Sequence, residues 1–159
     1  MGAILSIDVD SAEVEDFFAG VTARAAAPQE VLGYMGQDMV VKFKANIDAE
    51  SGGPDFPAWV DLKEATVKER ERLGYGGEHP MLQRTEDLYS HFAFNVTGPE
   101  TVAAGTDGEL EYPAVHDLGE GDMPQRSFVW IDDPLVDGWL EVIAQFLVDG
   151  TPPPVPVGS

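Results

Sequence analysis

The chain has 159 residues, 43% of them hydrophobic, no cysteine, and a net charge of -20 from 29 acidic against 9 basic side chains. That length suits one domain around one core, and the missing cysteines exclude disulfides and thiolate metal sites. No stretch approaches the roughly 18 to 20 apolar residues that cross a bilayer, no secretion signal opens the chain, and so acidic a surface opposes gripping nucleic acid. A soluble protein without a membrane partner is expected. A negative wall would still let DNA slide past without sequence-specific binding; solubility alone is the competing reading of the charge.

Residues 3–10, AILSIDVD, favour a short strand. The next segment, SAEVEDFFAGVTARAAA, sets Val14, Phe17, Phe18 and Val21 at helical spacing with acids in the first turn, which predicts a helix facing the core. Pro28 then opens the strongest helix, where Leu32, Met35, Met39, Phe43 and Ile47 recur every three or four residues. Residues 48–57 are a loop rich in glycine and proline. LKEATVKERERLG follows as a solvated helix with little apolar surface, and Lys63, Lys68, Arg70, Arg72 and Arg84 there make the one candidate basic patch.

Leu82, Leu88 and Phe92 are spaced for one face of a short helix leading into a strand. Strands at about 93–96 and 101–105 are expected to form a hairpin, with turn residues at Thr106 to Gly108. SFVWI, residues 127–131, suits a buried strand, and Asp133–Pro134 caps a last helix. Its stripe is Val136, Leu140, Ile143 and Leu147, beside Trp139 and Phe146, and it ends near Gly150. The expected fold is α+β: a single domain over residues 1–150, helices on one side of a small antiparallel sheet, with an extended proline-rich tail at 151–159.

Chemistry is hard to find in this pattern. His79, His91 and His116 share no helical ligand spacing, so a metal could be held only where folding gathers ligands from separate segments. There is no nucleophile elbow, and GYGG at residues 74–77 lacks the lysine and helix start of a phosphate loop. Adjacent acids such as Asp132 and Asp133 are expected by chance in so acidic a chain. The expectation is a non-enzyme with no catalytic residue, cofactor or metal.

Three clusters carry a resemblance. The first is FPAWVDLKEATVKER, with Trp59, Leu62, Thr66 and Lys68; the second is PMLQRTEDL, with Pro80, Leu82, Thr85 and Leu88. The third is YPAVHDLGEGDMPQRSF, with Tyr112, His116, Gly119, Pro124, Arg126 and Phe128. In order and spacing across about residues 55–148 these resemble the phage virion morphogenesis family, the tail-completion proteins related to the G protein of phage Mu. The chain departs from the family at Glu86, where glycine usually follows the threonine, and this favours a helix starting at Thr85 over a tight turn.

The resemblance implies a virion structural protein, assembled in the host cytoplasm, that forms a ring at the head-proximal end of the tail or in the neck and joins tail to head. Its implied partners are copies of itself, six if the ring follows a sixfold tail, and other neck, tail-tube or connector proteins. The residues themselves add structural expectations: Trp59 anchors the long loop, and Arg126 in a stiff turn after Pro124 pairs with a carboxylate of its own chain or of a neighbour. Cations from Lys63 to Arg72, Arg70 and Arg72 above all, are expected to face Asp132 and Asp133 of the next subunit. The alternative is an acidic monomeric binding module or nucleic-acid mimic that captures a basic partner.

Overall fold

In a computed structural model of the protein, residues 11–153 are described, so the strand expected at 3–10 and the end of the tail lie outside the described residues. The elements in chain order are α1 (Ala12–Ala25), α2 (Gln29–Ala49), α3 (Glu64–Arg72), α4 (Asp87–Ser90), β1 (Phe92–Gly98), β2 (Thr101–Thr106), α5 (Tyr112–Leu118) and α6 (Asp133–Asp149). The two strands pair antiparallel, Phe92 opposite Thr106 and Val96 opposite Val102, with an irregularity between Val96 and Gly98. This is the expected α+β fold and the expected hairpin.

The helix α2 organises the rest. Both strands pack on it, and α6 packs on it from another side, with α1 lying against α6. Most of its stripe is buried as the spacing predicts: Leu32, Phe43 and Ile47 are buried, Met39 packs against the cluster of Phe43 and Ile47, and Met35 is half-buried. Gly36 makes the strand contact possible, because a Cβ there would stand 2.3 Å from the Phe94 ring. Phe92 touches both Phe43 and Phe128, the latter edge-on at 5.9 Å between ring centres, so helix, hairpin and the 127–131 segment share one aromatic centre.

Several expectations are corrected. The α1 helix forms, but it buries no residue: Val14, Phe17 and Phe18 remain 50%, 45% and 61% exposed. The 127–131 segment forms no strand, its backbone being bonded by side chains instead of a neighbouring strand, and it is buried only at Ser127 and Phe128, with Val129 and Ile131 exposed. On α6 the buried residues are Trp139 and Phe146, while Leu140 points to solvent at 59% exposure. The Trp139 indole is drawn inward by a hydrogen bond to Asp38 Oδ2 at 2.8 Å. The true N-cap of α6 is Asp132, which accepts from the backbone N–H of Leu135.

The helix expected from Leu82 is reduced to the four residues of α4, and Glu86 explains why. Glu86 sits at φ 59, the left-handed conformation that favours glycine, so the tight turn persists and the helix begins after it, at Asp87. Glu86 therefore bears the steric cost of a conformation that glycine adopts freely. The short helix α5 was not expected; Pro113 in its first turn and Gly119, left-handed at φ 69 after its last residue, were its signals.

Candidate functional site

Trp59 of the first cluster and Arg126 and Phe128 of the third meet in one polar and aromatic framework beside the core. Trp59 is buried and donates its indole N–H to the Ser127 carbonyl at 3.1 Å, which anchors the long loop as expected. Arg126, only 3% exposed, donates Nε and Nη2 to the Val60 carbonyl at 3.2 and 2.7 Å. Its partner is therefore backbone and not the carboxylate expected from the sequence. A guanidinium forking onto a carbonyl one residue past Trp59 clamps the loop to the 126–128 segment, and Phe128 beyond it is fully buried.

Two residues that sequence reasoning missed hold this clamp in place. Asp117, the neighbour of His116 on α5, accepts the backbone N–H groups of Phe128 and Val129 through Oδ1, at 2.8 and 3.0 Å. Its carbonyl accepts from Ser127 Oγ and Gln125 Nε2. From the other side, buried Asn46 on α2 donates Nδ2 to the carbonyls of Phe128 and Trp130, both at 2.9 Å. These bonds satisfy a backbone that has no strand partner. The available signal was Asn46 itself, an amide next to Ile47 on the buried side of a helix.

His116 accepts the Arg126 backbone N–H at its carbonyl, at 2.7 Å, and Tyr112 stands edge-on to its ring. Burial, followed by the nearby Arg126 charge, pushes the His116 pKa below its ordinary value, so the ring is neutral at pH 7. Its Nδ1 is buried without a hydrogen-bond partner. Leu82, Thr85, Tyr112 and His116, from the second and third clusters, line one cleft of about 300 Å³ with Arg84 and Asp87. Within it Thr85 donates to Asp87 at 2.6 Å, and Leu82 has a left-handed backbone at φ 58.

The remaining predicted residues are structural or exposed. Leu88 is fully buried in the core, and Leu62 packs against it. Thr66 is an exposed residue in the first turn of α3. The expected basic patch is dispersed: Arg70 is buried and donates to the carbonyls of Glu78 and Pro80 at 3.1 and 2.7 Å. Lys68 pairs with Glu64 and Arg72 with Glu69, both along the surface of α3. Asp132 is bonded to Lys42 at 2.6 Å, which with the Leu135 backbone N–H holds its carboxyl below the usual range. The charge pairing between subunits built on Arg70 and Asp132 thus loses both groups to contacts inside the chain.

Among the described residues, one side-chain group has ligand geometry. The ligand atoms of His91, Asp107 and Glu109, at the base of the hairpin, lie within 4.8 Å of one another. Asp107 already accepts from the Glu109 backbone N–H and bonds His91 Nδ1 at 2.8 Å, and both hold its carboxyl low. The three residues close the open end of the hairpin through hydrogen bonds.

Compared with known proteins, the chain matches the model of the phage virion morphogenesis family over residues 9–136. The chain belongs to the phage virion morphogenesis family. The match reaches from α1 into the first turn of α6, so it takes in the N-terminal helices as well as the three clusters. Membership gives this phage protein a role in the structure or assembly of the virion. No curated protein and no solved structure matches the chain. Within the family frame, the clamp of Trp59, Arg126 and Phe128 fixes the fold, while the cleft at His116 is the polar concavity that its motif residues share.

Proposed function

We propose that the protein is a ring-forming subunit at the head-proximal end of a phage tail, a terminator or completion protein that joins tail to head by assembly and catalyses no reaction. The family match over residues 9–136 carries this reading. Two features support it. The two buried guanidinium groups serve architecture: Arg70 and Arg126 donate to backbone carbonyls. An amphipathic helix of fourteen residues, α1, has no fully buried residue among the described ones, as expected of a subunit that completes its packing against a neighbour.

The charge fits the same picture. Lys42, Lys68 and Arg72 pair with carboxylates of the chain, while Lys44 and Arg84 lie over tyrosine rings. With 29 acids against 9 bases, a ring of such subunits presents an acidic lumen past which DNA slides without being held. Its partners are further copies of the chain, six in a sixfold tail, and neck, tail-tube or connector proteins.

Mass photometry and negative-stain imaging of the purified protein, alone and with tail-tube and neck proteins, test this reading. Closed rings are expected. A monomer under every condition, coupled to salt-sensitive capture of a basic protein, would replace it with an acidic binding module.

A further inference from the structure

The α1 helix presents Val14, Phe17 and Phe18 to solvent, with Phe17 and Phe18 edge to face at 5.5 Å. It is tied at its C-terminal end, where Arg24 donates to the carbonyls of Leu147 and Val148 at the end of α6, while the aromatic pair in its N-terminal half stays exposed. Elsewhere on the same chain, α2 has a side that neither the hairpin nor α6 covers. There Val40, Val41, Lys44 and Ala45 line a groove of about 370 Å³ that Tyr89 closes at one end. Gln37, Val41, Lys44 and Asp48 follow one another at helical spacing, which makes the groove a helix-length track.

We propose that α1 of one copy docks, antiparallel, into the α2 groove of the next, and that this contact is the repeating interface of the ring. The inference rests on the ring reading and specifies how it is built. Helix polarity and a single lysine favour one direction. The N-terminal half of α1 carries Glu13, Glu15 and Asp16 around its apolar residues, and the groove carries the cation Lys44. Antiparallel docking brings Glu13 and Glu15, which flank the apolar face, towards Lys44 and sets the positive N-terminal end of α1 beside the negative C-terminal end of α2. The acid at that end of the groove, Asp48, is already bonded by the Tyr89 hydroxyl and by Gln83. Small side chains at Val40, Val41 and Ala45 let a second helix approach closely, with room for the two phenylalanines.

The two surfaces differ, so the contact is heterologous: each copy offers one helix and one groove, and repetition closes a ring. It also explains how a chain of net charge -20 associates with itself, since apolar area and one well-placed lysine replace the dispersed basic patch.

Complementation between two defective variants tests this directly. Phe17→Asp/Phe18→Asp spoils the helix face and Ala45→Glu the groove; all three positions are exposed, so circular dichroism and melting temperature should match the parent. Each variant alone is expected to be monomeric by mass photometry, with subunit affinity lowered about tenfold or more. Mixed in equal amounts, they retain one good helix and one good groove between them, and should form a discrete heterodimer and nothing larger. Lys44→Glu should weaken assembly, and Glu15→Lys in the same chain should restore it. Rings that persist in both variants would overturn this interface and leave the ring reading standing. A wild-type chain that never assembles would overturn both.

Discussion

The helices α1 and α2 pose the same pattern and meet opposite fates. Both repeat apolar residues every three or four positions, yet α2 buries Leu32, Phe43 and Ile47 while α1 buries none. What separates them is supply of partner surface. The α2 helix has a hairpin on one side and α6 on another; the principal contact of α1 is α6, whose inner residues Trp139 and Phe146 are already committed to the body. Periodicity therefore identifies a face that avoids water, and the element across from it decides whether that cover comes from the same chain.

That contrast can be broken most strongly at Phe128 and most weakly at Phe18. Phe128→Ala empties a fully buried site shared by α2, the hairpin and the 126–128 segment, and should lower unfolding free energy by about 3 to 5 kcal/mol in denaturant titration. Arg126→Met keeps much of the stem but leaves the Val60 carbonyl without its donor; a loss of about 1 to 3 kcal/mol is expected in the same assay, with faster proteolysis in the 50–62 loop.

A pH series sharpens the comparison at His116. Its folded pKa lies below the ordinary value of about 6.5, so the unfolded chain binds a proton first. This contribution to stability is complete above about pH 6.5 and is lost as pH falls through the lower, folded pKa. Thermal melts from pH 7.5 to 5 should show a decline that His116→Asn reduces; equal slopes in the two proteins would refute the assignment.

Smaller effects follow. Glu86→Gly removes a left-handed backbone strain but frees the unfolded chain, and the balance should stabilise by about 0.5 to 1 kcal/mol in chemical denaturation. Phe18→Ala, measured on chains diluted to monomer, should change stability by less than about 0.5 kcal/mol, because that ring is exposed before assembly. A loss comparable to that of Phe128→Ala would erase the distinction between the two helices.

Much of the architecture was legible in the residues. The long helix from Leu32 to Ile47, the hairpin, the capped last helix and the loop anchored by Trp59 all follow from local rules of periodicity, capping and turn chemistry. Those rules act within a few residues, which is why one sequence suffices to read them. The family clusters were legible too, as spacing, although their geometry was not: Arg126 turns to a carbonyl 66 residues away in sequence, and Arg70 to carbonyls beyond the end of its own helix. Partner choice for a long charged side chain depends on which acceptors folding leaves without a mate, and no local pattern encodes that.

The same reason accounts for the strand that did not form at residues 127–131. Its apolar composition called for burial, and only Ser127 and Phe128 are buried while Val129 and Ile131 stay exposed; Asp117 and Asn46 supplied the hydrogen bonds that a neighbouring strand would have given. By itself the sequence determined the long helices, the hairpin and the apolar stripe of α2. Only the tertiary structure decided what each buried polar group is bonded to, and that α1 keeps its aromatic face exposed, because both depend on surfaces brought together from distant parts of the chain.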